Sequence, residues 1–363
     1  MILRDPLYSL DDITIIPAPI SNIRSRSECN PYKLSIENKS GYLPVIAAPM
    51  DSVVDDTCYR EYHNNKISCV IPRTVSIEKR LELCNEVFCA FGFKEIEEYF
   101  IDNNFESNKF YVLIDVANGH MRYQLDLGKN LKEKYGDKIS LMGGNIANFY
   151  SIEYYMLSGF DYVRCGIGGG SGCLTSVHTS IHCPMASLID DLYLYREKIF
   201  DRTKHVKTKI IADGGIKTYS DVIKCLALGA DYVMMGYTFS KAIDSAGEFY
   251  DNLGNLLSRE QAKLLFSNNN SIFKDYHGMS TKKIQAKILG VELEKERHNL
   301  KTSEGKFELT KIEYDLKGWT DNLESYIRST LSYTNCRDIN YFNSDYGLCT
   351  KVMSESSQRK LLK

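Results

Sequence analysis

Short, almost wholly apolar runs recur along the chain, each followed by a longer stretch in which apolar residues return with helical spacing. The runs are PVIAAPM (44–50), ISCVIP (67–72), EVFCAFG (86–92), FYVLIDVA (110–117), KISLMGGN (138–145), DYVRCGIG (161–168), KIIADGG (209–215) and DYVMMG (231–236). Continuous rather than alternating hydrophobicity predicts strands covered on both faces, the pattern of a parallel sheet. Helices are predicted between them over Ser76–Cys84, Tyr123–Tyr135, Ser151–Ser158, Met185–Phe200 and Ser220–Leu228. Two of these stop at a glycine, Gly159 and Gly229. Eight strand-then-helix units favour a closed α/β barrel, the (β/α)8 TIM-barrel class, over a doubly wound open sheet. In such barrels chemistry gathers at the C-terminal ends of the strands.

Residues 237–310 break the rhythm. They are polar, rich in Lys and Asn, and show no clear strand. Phe239–Ala246 is expected to start the eighth helix, with 249–310 forming a long excursion of the lid or flap kind. A disordered surface insertion over 255–272 is the competing expectation. After Trp319 one helix is predicted, roughly Asn322–Tyr333, and then a polar tail. No Pro-rich or Gly-rich linker divides the chain, so 1–363 reads as a single barrel domain.

Charge narrows the function. Lys+Arg 45 against Asp+Glu 47 leaves a net charge of −2, with no basic excess to hold a phosphodiester backbone; no nucleic-acid partner is expected. No apolar run reaches the ~18 residues of a membrane span. The start, MILRDPLYSLDDI, has no apolar signal core, so a cytoplasmic location is expected. The 11 cysteines form no CxxC pair and read as small buried hydrophobes in a reducing compartment, with one exception. The 7 histidines form no HExxH or HxH motif, which argues against catalytic zinc.

That exception is Cys173, in GIGGGSGCLTS (Gly166 to Ser176), directly after a predicted strand. The glycines let the backbone turn tightly and expose N–H groups as an anion nest. The same loop delivers a thiol to the barrel mouth, where a neighbour that lowers its pKa makes it a nucleophile. Ser171 and Thr175 could bind phosphate or relay protons; a flexible turn with an inert cysteine is the alternative. The next two strands end on Asp213, Gly214, Gly215 and on Gly236, Tyr237. In barrels the loops there commonly cradle phosphate, and their amides suit a phosphate monoester. The Asp213 carboxylate suits ribose hydroxyls. Asp51, Asp115 and Asn145 also stand at strand ends. Each alone reads as a helix cap, but together they suggest a second polar pocket.

The stretches APMDSV, DVANGH, MGGN, GIGGGSGCLT, IADGG with YVMMG, YHGMS and TSEGK, in this order, resemble the inosine monophosphate dehydrogenase and GMP reductase family over about residues 5 to 335. Dehydrogenases of that family usually insert CBS modules between the second helix and third strand; here Ser76–Cys84 runs almost directly into EVFCAFG. Their flap carries an Arg-Tyr pair that 255–310 lacks. SEGK (Ser303 to Lys306) and YIRSTLSY (Tyr326 to Tyr333) are similar to the reductase tail.

The resemblance therefore implies NADPH-dependent reductive deamination of GMP to IMP and ammonia. Cys173 would form a thioimidate at purine C2, with Thr175 and Glu304 assisting the leaving amine. It implies nucleotide binding by Ser171, Asp213, Gly214, Gly215, Gly236, Tyr237, Gly278, Met279, Ser280, Lys301, Ser303 and Gly305. It implies NADPH near Ser25, Arg26, Asp115, Val116, Ala117, Ile167, Gly168, Met279, Tyr326, Ile327, Arg328 and Ser329. Potassium (K+) would sit on the carbonyls of Gly168, Gly170 and Cys173, and a homotetramer is expected. The alternatives are a dehydrogenase without CBS modules, oxidising IMP with NAD, and a purine nucleotide-binding regulator with impaired catalysis.

The chain also departs from the family. Gly169 replaces a usual Pro, Gly172 a bulky residue, CLTS the usual CTTR (at Leu174 and Ser176), and Lys301 an Arg. Lys301 turns a bidentate contact into a point charge. The stretch 249–275 is longer than usual.

Overall fold

Every one of the eight apolar runs is a strand. They are β1 Val45–Ala47, β2 Ser68–Ile71, β3 Phe88–Phe91, β4 Phe110–Ile114, β5 Ile139–Ile146, β6 Tyr162–Cys165, β7 Lys209–Asp213 and β8 Tyr232–Met235. In the computed structural model, which describes residues 6–204, 207–278, 281–291, 307–343 and 350–352, they pair in order, all parallel. The ring closes where Val45 pairs with Val233 and Ala47 with Met235. The continuous hydrophobicity has a direct cause. Ile46, Val70, Phe88, Leu113, Met142, Ile211 and Met234 fill the barrel, while Ala47, Cys69, Ile71, Val112, Val163, Ile210 and Val233 pack under the helices.

The floor, at the N-terminal ends of the strands, is plugged by residues 34–37. Tyr111, Tyr162 and Tyr232 stand at the starts of β4, β6 and β8. Their hydroxyls donate to the carbonyls of Glu37 (3.2 Å), Ile36 (3.0 Å) and Leu34 (2.8 Å). This leaves the opposite end for chemistry.

The helices Ile77–Leu83, Arg122–Tyr135, Ser151–Leu157, Met185–Thr203 and Tyr219–Ala227 lie where the pattern predicts them. The eighth does not. Tyr237–Ser240 is a single turn, and the long helix is Leu316–Tyr333. Trp319 seats it, packing on Phe239 (centroids 4.8 Å apart) and Tyr219 (5.3 Å).

The excursion is also not strandless. It forms a four-stranded antiparallel sheet of β9 Phe249–Tyr250, β10 Leu256–Leu257, β11 Phe273–His277 and β12 Phe307–Lys311, in the order β10-β9-β11-β12. Its period-2 signal is masked because β11 carries Lys274, Asp275 and His277 at buried positions. Lys274 is tolerated there because its Nζ donates to the Ser245 hydroxyl and, at 2.6 Å, to the Ala246 carbonyl; burial still pulls its pKa down to about 7. The surface stretch 255–272 holds a helix, Arg259–Ser267, started by a capping box between Ser258 and Gln261. Among the described residues no helix is long and apolar enough to cross a membrane.

Candidate functional site

The loop after β6 folds back on itself and onto the loop after β7. Gly166 has φ +119°, and a Cβ there would lie 2.3 Å from the Asp213 carbonyl oxygen, so only glycine fits. Beyond it, the Ser176 hydroxyl donates to the Gly168 carbonyl (2.9 Å), and the Cys173 N–H donates to the Gly170 carbonyl (3.0 Å). His182 Nδ1 sits 2.8 Å from the Ile167 carbonyl. These bonds give the glycine-rich loop a defined shape, with Ser171 inside it.

Cys173 comes out of this loop half-buried, its Sγ 3.3 Å from the hydroxyl of Thr175, the first residue of the short helix Thr175–Thr179. Eight of the other nine described cysteines are buried; Cys183 is the other half-buried thiol. Burial raises the thiol pKa of several of the buried ones, Cys58 to about 12.

The glycine amides expected to take a phosphate meet on the same side. A Cβ on Gly215 would lie 3.1 Å from the Gly169 carbonyl oxygen, and one on Gly214 3.2 Å from the Gly170 nitrogen. A Cβ on Gly172 would come 3.1 Å from the Gly278 nitrogen and 3.3 Å from the Tyr276 ring. Any side chain at position 172 would therefore crowd the end of β11, which presses on the loop. Tyr276 lies against Gly172 and stacks edge-on against Tyr237 (5.2 Å) beside Gly236. Ser171, Cys173, Thr175, Asp213–Gly215, Gly236, Tyr237 and Gly278 thus form one continuous wall. Met279, Ser280, Lys301, Ser303, Glu304 and Gly305 lie outside the described residues.

Asp213 ends β7 and is mostly buried. It accepts from Asn145 Nδ2 at 2.8 Å, and the same nitrogen reaches the Gly166 carbonyl at 3.0 Å. Burial pushes its carboxyl up; Arg164 and Asn145 pull it back only in part. Asp115, with Val116 and Ala117, follows β4 at the same rim, and its carboxylate pairs with Arg164 at 2.8 Å. Asp51, after β1, accepts from His277 Nε2 (2.8 Å) and Lys287 Nζ (3.0 Å), which ties the excursion to the barrel rim. Burial raises the Asp51 carboxyl, but the His277 bond and the Lys287 charge outweigh it and hold it low.

The remaining residues expected near a dinucleotide are elsewhere. Arg26 Nη1 donates to the Ser329 hydroxyl (3.2 Å), and Arg328 donates to the Cys29 carbonyl. This group, with Ser25 and Tyr326, lies on the outer wall. Glu324 of the same helix accepts from Tyr32, which neighbours Lys66 just before β2, so it lies toward the floor. Ile327 is in the core, its side chain unavailable to a ligand. The carbonyls of Gly168 and Gly170, two of three expected potassium ligands, already accept hydrogen bonds within the loop.

Sequence reasoning missed Arg164 and the part played by Tyr276 and His277. The signal for Arg164 was available: a charged residue inside the apolar run DYVRCG has to be paired when the strand is buried on both faces.

Against known proteins, the model of the IMP dehydrogenase / GMP reductase domain matches residues 86–359. A GMP reductase of Buchnera aphidicola subsp. Acyrthosiphon pisum (strain Tuc7) is 30% identical over 263 residues, 68% of this chain and 72% of its own. A GMP reductase of Staphylococcus saprophyticus is 25% identical over 342 residues, 92% of each chain. GMP reductase 2 of Bos taurus is 27% identical over 347 residues, 91% of this chain and 90% of its own. The chain belongs to the IMP dehydrogenase / GMP reductase family.

Proposed function

We propose that this protein is a GMP reductase, converting GMP to IMP and ammonia at the expense of NADPH. The observation that carries the reading is the half-exposed thiol of Cys173, 3.3 Å from a hydroxyl, on a loop packed against the glycine amides of Gly214, Gly215 and Gly278. Those amides hold the phosphate of GMP, and the Asp213 carboxylate accepts from its ribose hydroxyls. This fixes purine C2 against Sγ, which converts an encounter into an intramolecular step.

The Cys173 thiolate adds to C2. The C2–N bond breaks once the amino nitrogen is protonated, because an unprotonated amine leaves poorly. Thr175 holds a proton beside the sulfur, and Glu304, by resemblance, supplies one to the nitrogen; ammonia departs and a thioimidate remains. NADPH, when bound, would supply a hydride to C2; the C–S bond then breaks, and the Cys173 thiolate returns as IMP is released. Asp115, Val116 and Ala117 at the rim hold the nicotinamide end of the dinucleotide. The outer-wall group of Ser25, Arg26, Tyr326, Arg328 and Ser329 faces away from this mouth and would serve a neighbouring copy in the expected tetramer. Potassium enters no step.

The test is spectrophotometric. Purified protein with GMP and NADPH should consume reduced cofactor and release ammonia, and Cys173→Ala should abolish this while GMP binding by calorimetry survives. Binding without turnover in the wild type would point to the nucleotide-binding regulator instead. Turnover of IMP with NAD, and none of GMP, would point to the dehydrogenase.

A further inference from the structure

One line of polar side chains crosses the barrel mouth, one from each of four consecutive strands or strand ends: Asp115 after β4, Asn145 in β5, Arg164 in β6 and Asp213 at the end of β7. Arg164 is the middle of it. Its guanidinium is almost wholly buried; Nη2 lies 2.8 Å from Asp115 Oδ1 and Nη1 3.8 Å from Asp213 Oδ2. Asn145 extends the line from Asp213 to the Gly166 carbonyl, the root of the cysteine loop.

We infer that Arg164 is a positioning residue that sets the nucleotide-side and cofactor-side carboxylates at a fixed separation. The inference rests on the functional reading above, in which Asp213 meets the nucleotide and Asp115 the dinucleotide. Two largely buried carboxylates flanking one guanidinium repel, and Asp115 is one of the charges that raise the Asp213 carboxyl. Without a cation between them, they either move apart or one takes up a proton. A carboxylate that has done either no longer accepts two ribose hydroxyls in the same place. Arg164 gives Asp115 a hydrogen-bond donor and sets a permanent charge 3.8 Å from Asp213 on the same rigid plane, which a lysine matches in charge but not in geometry. Its backbone is held as well: a Cβ on neighbouring Gly144 would lie 2.5 Å from the Arg164 carbonyl oxygen.

The test uses the whole protein and equilibrium titration with GMP and with oxidised NADP+, which cannot react with it. Arg164→Gln is expected to weaken both ligands, each on the order of tenfold. Arg164→Lys is expected to recover part of that loss. Asp213→Asn should weaken GMP, and adding Arg164→Gln to it should cost GMP less than about twofold more, because the residue acts through Asp213. A general collapse of the barrel would persist in the Asp213→Asn background. Arg164→Gln leaving both affinities within about twofold of wild type, or costing GMP equally in both backgrounds, would overturn the inference alone. Wild-type protein that bound neither ligand would overturn the functional reading and this inference with it.

Discussion

At the floor of the barrel, three tyrosine hydroxyls cap three carbonyls of residues 34–37, and Phe88 packs against Tyr111 (5.4 Å) and Tyr162 (5.6 Å) just above. At the mouth, the hydrogen-bonding groups are of a different kind. Cys173 is half-exposed beside one hydroxyl, three carboxylates sit at strand ends, and glycines bring backbone to backbone where no Cβ fits. Both ends are polar rings on the same eight strands. The floor uses its three tyrosine hydroxyls on its own carbonyls; the mouth sets a half-exposed thiol beside glycine loops. Polarity alone does not mark a site; an accessible nucleophile on a tightly turned glycine loop does, and of these two ends only the mouth has one among the described residues.

Substitutions should therefore separate into two kinds, stability at the floor and chemistry at the mouth. The largest effect is expected for Phe88→Ala. Phe88 is fully buried in the barrel interior, so the cavity should cost about 3–5 kcal/mol, read by denaturant unfolding. Where enough protein stays folded, turnover per folded molecule should be near normal; a selective loss of activity would break the comparison.

Glu37 sharpens it from the electrostatic side. Burial pushes its carboxyl from 4.5 up to about 7, offset only in part by the Ser35 hydroxyl and nearby amides. Below 4.5 the group is neutral in both folded and unfolded chains and costs nothing. Between 4.5 and 7 the unfolded chain ionises first, so stability falls as pH rises, and above 7 the full penalty of about 3 kcal/mol stands. Glu37→Gln cannot ionise. Its melting temperature should match the wild type at the acid end and rise above it past neutrality; parallel curves would show that the carboxyl carries no such penalty.

Gly166→Ala tests the mouth. The added Cβ would meet the Asp213 carbonyl oxygen at 2.3 Å in a backbone with φ +119°, and displacement of the cysteine loop should cost on the order of a hundredfold in kcat/KM for GMP. The melting temperature should fall by less than in Phe88→Ala. The reverse ranking would mean the loop is part of the fold's support.

The eight strands were legible because burial on both faces leaves mostly apolar residues to read. The glycine loops were legible because Gly166, Gly214 and Gly215 need positive φ where chains approach closely. What stayed hidden is what tertiary contacts supply. Lys274 and His277 look like surface residues until Ser245, Ala246 and Asp51 are placed against them. Leu316–Tyr333 takes the place of the eighth helix through Trp319, whose partners Tyr219 and Phe239 are remote in sequence. The outer-wall set around Arg26 and Ser329 shows the converse. Motif order brought those residues into one site with Cys173, and within one chain the fold separates them.

The finest division of the floor is between two of its tyrosines. Tyr162→Phe and Tyr232→Phe each remove one hydroxyl and leave a ring of the same shape, so packing is nearly unchanged. The Ile36 carbonyl that loses Tyr162 belongs to a residue with no exposed surface, and no water replaces the donor; that variant should lose about 1–3 kcal/mol. The Leu34 carbonyl that loses Tyr232 belongs to a residue 49% exposed, where water can take the hydroxyl's place, so the cost should be nearer ~0.5 kcal/mol. Chemical unfolding of the two side by side reads the difference, and neither should change kcat, because neither hydroxyl faces the mouth. Equal losses would mean the plug is wetter than its burial implies, and a fall in kcat for either would join the floor to the chemistry it is here held apart from.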